Sequence, residues 1–288
     1  MVPVTHYAVE VWRAATLVLP AWLRRRLTPG GGPAATSGDA EITLIGVNDW
    51  SAQPRPDVVP VVLVHGTETG VGRWRDLAQA LLADGHTVFA VSYGREEASV
   101  RGRLTGFGTG HLASSAGELA LFVDRVLEAT GGTRVDIVGH SQGGLLGHLY
   151  IKWLGGHRTV RHLVTLGAPV HGASPLGPLD SLAQAPLVGV GLDALLGPSA
   201  REQLRVSPVI RELAATPDVV PEVKYTAIVT RHDHAVLPVQ AQLLQERDGV
   251  EVANRYVQDE APESVVGHSD LPTDAQVIAM IRDALGAP

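Results

Sequence analysis

The chain contains no cysteine in 288 residues. Disulfides, thiolate zinc sites and a cysteine nucleophile are therefore excluded. The compartment stays open, because a chain of this length buries enough surface to do without cross-links. A basic stripe is also missing. The formal net charge is −7 and the one basic cluster is Arg24-Arg25-Arg26, which is not the footprint of a nucleic-acid binder. No long hydrophobic run occurs: Thr16–Leu23 is short and broken by Pro20, so no integral membrane span is expected. That run precedes the arginines, the reverse of the order in a signal peptide. No G-x-G-x-x-G opens a helix after the first expected strand, which excludes a dinucleotide-dependent dehydrogenase. No cofactor or metal is expected.

What is present is the balance of a globular protein, with 45% hydrophobic and 18% charged residues, so disorder is not indicated. The length suits one catalytic domain with a modest insertion. We expect residues 1–40 to form an N-terminal helical segment and linker, and residues 41–288 to form the catalytic domain. Val4, Tyr7, Ala8, Val11, Trp12 and Ala15 recur on one helical face. That face either packs on the domain or, with the nearby arginines, residues 1–27 meet a lipid surface. Residues 29–40 (PGGGPAATSGDA) read as a flexible linker.

From residue 58 strands and helices alternate. Val58–Val64 reads as a strand buried on both faces, followed by a helix over Gly72–Ala83 and a strand over Thr87–Ser92. A helix over Ser114–Ala129 ends at Gly131. Strand Arg134–Val138, helix Gln142–Leu154 and strand Arg161–Leu166 come next. The pattern predicts an α/β fold, a mostly parallel sheet covered by helices on both faces. The alternation pauses over residues 173–218, a stretch rich in Leu, Ala, Gly and Pro that suits a small apolar cap. Inside it, helix starts are expected at Ser199 (a capping box with Glu202) and at Ser207-Pro208. Strands Val223–Val229 and Val250–Val257 follow, and a last helix is expected to start at a Thr273/Gln276 box.

Gly139-His140-Ser141-Gln142-Gly143 fits G-x-S-x-G. Five residues are a weak signal alone. Between a strand and a helix they predict a nucleophile elbow, a tight turn that lifts the serine hydroxyl above the sheet. Such a serine needs a base, and the base needs an orienting carboxylate. His268, after the last strand, and Asp233, after the strand Val223–Val229, complete the order Ser141, Asp233, His268. Asp259 and Asp270 are the weaker candidate acids. His232 and His234 are expected to be solvated loop residues, and His148, His157 and His162 structural. The oxyanion needs two amide donors: Gln142 N–H, directly after the nucleophile, and Thr67 N–H, in the His65-Gly66-Thr67 loop, whose hydroxyl is a possible third donor. Val236, Leu237 and Leu271 are the expected apolar substrate contacts.

With these residues in hand, the sequence resembles bacterial triacylglycerol lipases and esterases of the α/β-hydrolase superfamily, most narrowly the secreted lipases of Gram-positive actinobacteria. The likeness runs over about residues 58–285. It is carried by the segments from Val61 to Gly70, Trp74 to Gly94, Glu118 to Gly131, Val135 to Gly144, Tyr150 to Gly156 and Tyr225 to Asp233. It implies hydrolysis of acyl esters without a cofactor, with family roles falling on Ser141, Asp233, His268, Thr67 and Gln142. Two departures stand out: there is neither a signal-peptide pattern nor cysteine, and His234 stands where the acid loop commonly has a second acidic residue. The resemblance implies secretion; the missing leader pattern leaves a cytoplasmic or membrane-associated place open.

The same triad would serve a polyester hydrolase, an amidase or a thioesterase. The apolar insertion and the apolar residues near the triad favour an acyl chain, so an ester or lipid is the expected partner, with lipid-surface contact through residues 1–27 or the cap. From another class, a non-catalytic binding protein on this scaffold would not need all three triad residues and both oxyanion positions.

Overall fold

The computed structural model describes residues 43–51, 55, 58–286 and 288. The chain divides into Met1–Ile42 and Thr43–Pro288. The helix and linker expected over residues 1–40 lie outside the described residues. The second unit is an α/β-hydrolase fold built on a six-stranded sheet. Its strands are β1 (Val61–Val64), β2 (Val88–Val91), β3 (Val135–His140), β4 (Val160–Leu166), β5 (Lys224–Val229) and β6 (Val252–Tyr256). Their order is β2-β1-β3-β4-β5-β6, and every pair is parallel.

The period of two along each strand sorts side chains into two cores. In β1, Val62 and Val64 face one layer, where they join Leu119, Val123, Leu145 and Leu149. Val61 and Leu63 face the other, with Trp74, Leu77, Val277 and Ile281. Both faces of β1 are thus fully buried, which is why its sequence reads as a continuous apolar run instead of an alternation. The covering helices show the matching stripes. In α1 (Arg75–Ala83), Leu77 and Leu81 are one turn apart and buried. Helix α2 (Val100–Thr105) is a short piece that the apolar pattern does not announce. In α3 (Leu112–Thr130), Leu112, Ala116, Leu119, Val123 and Val126 line the buried face, and Gly131 ends the helix at φ 69°. α4 (Gln142–Trp153) packs so closely that a Cβ at Gly147 would lie 2.6 Å from Leu163.

Residues 173–218 hold a 3-10 segment (Gly177–Gln184) and helices α5 (Pro186–Leu196), α6 (Pro198–Glu202) and α7 (Pro208–Ala214). A short α8 (Val257–Glu260) follows β6, and α9 (Ala275–Leu285) closes the fold. Three expectations about element starts need correction. β1 begins at Val61, because Pro60 has no N–H to enter the ladder. The Ser199–Glu202 pattern is not a capping box. Helix α6 starts one residue earlier, with Gly197 as its cap, and Ser199 Oγ donates to the Gly108 carbonyl. Glu202 instead accepts from the Leu112 N–H, so it caps the start of α3. The last helix is capped by Asp274, which accepts from the Val277 N–H, and not by Thr273. Ser207 does cap α7, accepting from the Ile210 N–H.

Candidate active site

The chain runs from β1 outward to the edge strand β2 and then returns to place β3 on the other side of β1. This reversal makes a crevice at the carboxyl ends of β1 and β3, the place where open α/β sheets bind ligands. Val64 pairs with Gly139 across that point, so the loop after β1 and the turn after β3 lie side by side.

The turn after β3 is sharp. Ser141 has φ 50° and ψ −121°, a conformation that costs a non-glycine residue roughly 1–3 kcal/mol. The flanking glycines are a steric requirement: a Cβ on Gly143 would lie 2.1 Å from the Val64 carbonyl oxygen, and one on Gly139 2.5 Å from the Gly144 nitrogen. Gly66 plays the same part for the opposite loop, where a Cβ would sit 3.2 Å from Ser141 Cβ. The bare backbone therefore lets residues 65–67 pass directly over the serine. Neither the Thr67 N–H nor the Gln142 N–H meets an acceptor among the described residues. Two free donors at the mouth of a helix N-terminus suit a developing negative charge.

Ser141 Oγ lies 2.9 Å from His268 Nε2, and His268 Nδ1 lies 2.6 Å from Asp233 Oδ2. Asp233 is buried. Burial disfavours its charge, but hydrogen bonds from His268 and from the Val236 and Ala235 amides outweigh that penalty. They hold its pKa below the usual carboxylate range. Since the carboxylate is charged and accepting, His268 Nδ1 carries a proton and Nε2 is free to accept from the serine.

Several supporting residues escaped the sequence reading. Gln242 is fully buried and donates from Nε2 to Asp233 Oδ2 (3.1 Å) and to the Val236 carbonyl (3.0 Å). His140 Nε2 donates to the His268 carbonyl at 3.0 Å. Burial and the neighbouring His268 hold the His140 pKa down at about 3, so it stays neutral. Thr230 Oγ1, at the end of β5, donates to the Val266 carbonyl at 2.7 Å and ties the two loops together. No local pattern marks such contacts, because the partners lie far apart along the chain.

Ser141 and His268 open onto a cavity of about 470 Å³, whose lining includes the apolar Pro169, Ala173, Leu204, Ala235 and Val236 and the polar Thr67, Glu68, Arg73 and Gln203. Val236 is thus among the lining residues. Leu237 and Leu271 do not line the cavity. Leu271 is fully buried in the core layer that contains Val277 and Ile281. Leu237 is turned so that its carbonyl accepts from the Ser174 N–H. The rival acids stand apart from His268: Asp259 pairs with Arg231 at 2.6 Å, and Asp270 is mostly exposed beside Arg73. His232 and His234 are exposed. His148 stacks on Tyr225, and His162 bonds Thr226 Oγ1. Among the described residues no cluster of His, Asp and Glu is placed to hold a metal ion.

Comparison with known proteins gives a consistent picture. Residues 58–174 match the family model "Lipase (class 2)". The chain is 30% identical over 166 residues to a triacylglycerol lipase of Burkholderia plantarii, an alignment covering 55% of this chain and 39% of that one. It is 31% identical over 121 residues to a triacylglycerol lipase of Pseudarthrobacter phenanthrenivorans, covering 40% and 34%. The matched region thus spans well under half of either relative. Among solved structures, Aspergillus fumigatus lipase B superposes with a TM-score of 0.61 at 19% identity, over 80% of this chain and 52% of that one. A Bacillus licheniformis lipase in its mature form gives 0.52 at 15% identity, over 81% and 94%. At these identities the structural likeness establishes the fold.

Proposed function

We propose that this chain, a member of the lipase and esterase group of α/β-hydrolases, hydrolyses carboxylic esters with Ser141 as nucleophile, His268 as general base and acid, and Asp233 as the orienting carboxylate. The observation that carries the reading is the unbroken line Asp233–His268–Ser141, ending beside two amides that meet no acceptor among the described residues. His268 takes the Ser141 proton as Oγ attacks the ester carbonyl. The oxyanion is held by Thr67 and Gln142 N–H. His268 then protonates the departing alcohol, leaving an acyl-serine. Water, deprotonated by the same histidine, adds to that ester, and collapse releases the acid and restores the serine.

The substrate side is read from the lining. Pro169, Ala173, Leu204, Ala235 and Val236 offer an acyl chain apolar contact, beside the polar Thr67, Glu68, Arg73 and Gln203 of the same lining. The outer surface of the cap supports a lipid substrate. Leu176, Leu179, Leu182, Leu187 and Val190 are each more than half exposed, on or just before a 3-10 segment and the helix α5 that meets it at 91°. No single helix among the described residues is long and apolar enough to cross a bilayer, so this surface is read as one that touches a lipid aggregate.

Hydrolysis of a p-nitrophenyl ester series from acetate to palmitate, wild type beside Ser141→Ala, tests the reading. Turnover that falls by several orders of magnitude in a folded Ser141→Ala variant supports it, and a preference for long chains supports a lipase. Unchanged turnover in that variant sinks the assignment.

A further inference from the structure

Gln203, at the end of α6, is a cap residue that reaches the oxyanion loop. Its Nε2 lies 3.1 Å from Thr67 Oγ1 and 3.2 Å from the Ser199 carbonyl oxygen. The second contact fixes the orientation of the amide. A carbonyl only accepts, so the atom facing Ser199 O is the NH₂ group and not Oε1. Both N–H bonds of that nitrogen are then used, one toward Ser199 and one toward Thr67. Thr67 Oγ1 is consequently an acceptor on the Gln203 side, and its own proton points elsewhere. No acceptor for that proton occurs among the described residues, and Thr67 lines the same cavity as Ser141 and His268.

The seat of Gln203 is rigid. Ser199 Oγ donates to the Gly108 carbonyl at 2.9 Å. Glu202 accepts from the Leu112 N–H at 2.7 Å, and the Gln203 carbonyl accepts from the Ala173 N–H at 3.0 Å. Gly108 is in turn packed on the oxyanion loop, since a Cβ there would lie 3.0 Å from Thr67 Cα. One body segment thus holds both partners of the Gln203–Thr67 contact.

We propose that Gln203 is a positioning residue which, by donating to Thr67 Oγ1, turns the Thr67 hydroxyl proton into the cavity, where it serves as a third donor to the oxyanion. The inference rests on the reading of Ser141 as nucleophile. It makes the seated cap part of the oxyanion hole, so the hole is at full strength only while α6 is docked on residues 108–112. A donor of this kind acts where charge develops in the transition state, so its loss falls on kcat and not on KM.

The test is a double-mutant cycle between Gln203→Met and Thr67→Val, read as kcat and KM on a p-nitrophenyl ester, with thermal unfolding to confirm folding. Thr67→Val keeps the backbone N–H and removes the hydroxyl. Gln203→Met is expected to lower kcat by about tenfold with KM nearly unchanged, and to change it less than about twofold when Thr67→Val is already present. Gln203→Glu is expected to be worse than Gln203→Met, because a carboxylate accepts the Thr67 proton and withdraws it from the cavity. In the Thr67→Val background that extra loss should vanish. A Gln203→Met effect of the same size in both backgrounds overturns the proposal, as does one confined to KM. Should Gln203→Glu fail to fold, the methionine cycle decides alone. An active Ser141→Ala enzyme would refute the nucleophile reading instead, a separate outcome of the same assay.

Discussion

Acid should unfold this protein through its buried histidines before it reaches the carboxylates. His65, His140, His148 and His162 are each no more than 5% exposed. Burial pushes the His65 pKa down to about 4 and those of the other three down to about 3. Unfolded, each returns to about 6.5. Between these values the unfolded chain binds protons that the folded chain refuses, so stability rises with pH there and is lost as pH falls below about 6.5. At pH 5.5 the loss is about 1.4 kcal/mol per histidine, or about 5.5 kcal/mol for the four. That is a large part of the 5–15 kcal/mol typical of a domain. His171 works the other way. Its hydrogen bond to Asp218 raises its pKa, so its contribution is present at low pH and fades as pH rises, returning part of the loss. Asp233 and Asp218 have lowered pKa values, and their contributions are lost only below about pH 4. Urea unfolding followed by tryptophan fluorescence at pH 7.5, 6.5 and 5.5 isolates the histidine window. A fall of several kcal/mol by pH 5.5, with a shallower slope in His148→Phe, is expected. A loss below about 1 kcal/mol would refute the account.

Two further outcomes follow from the site. Asp233→Asn should lower kcat by about 10⁴-fold, because the amide no longer fixes the His268 tautomer or stabilises its cation; Asp259→Asn, on a surface pair with Arg231, should stay within about twofold in the same assay. Gly143→Ala should cost about 1–3 kcal/mol in chemical denaturation and should also lower kcat, since its methyl would press on the Val64 and His65 carbonyls and shift the loop that carries Thr67.

The elbow was legible in the sequence because its constraints are local. A strand, a strained serine and glycines on either side must be neighbours in the chain. The alternation of elements was legible for the same reason, since period and turn chemistry belong to short windows. What failed were inferences that treated a local pattern as a local contact. Ser199 and Glu202 have the spacing of a capping box, yet the serine bonds Gly108 and the glutamate caps α3. Leu271 is apolar and near His268 in sequence, but it faces the core. Gln242, Gln203 and His140 act on partners 9 to 136 residues away, and a single glutamine carries no mark of its partner until the fold supplies one.

The distribution of the site over the sheet also sets a timetable for its birth. Ribosomes deliver β1, β2, β3 and β4 first, and with them the loop of Thr67 and the bent serine. The aspartate follows only with β5, and the histidine only after β6, the far edge of the sheet. A chain that has not yet delivered these strands carries the proposed nucleophile without its proposed base, so hydrolytic power cannot precede the arrival of His268. Appearance of turnover during translation would report closure of the final edge strand.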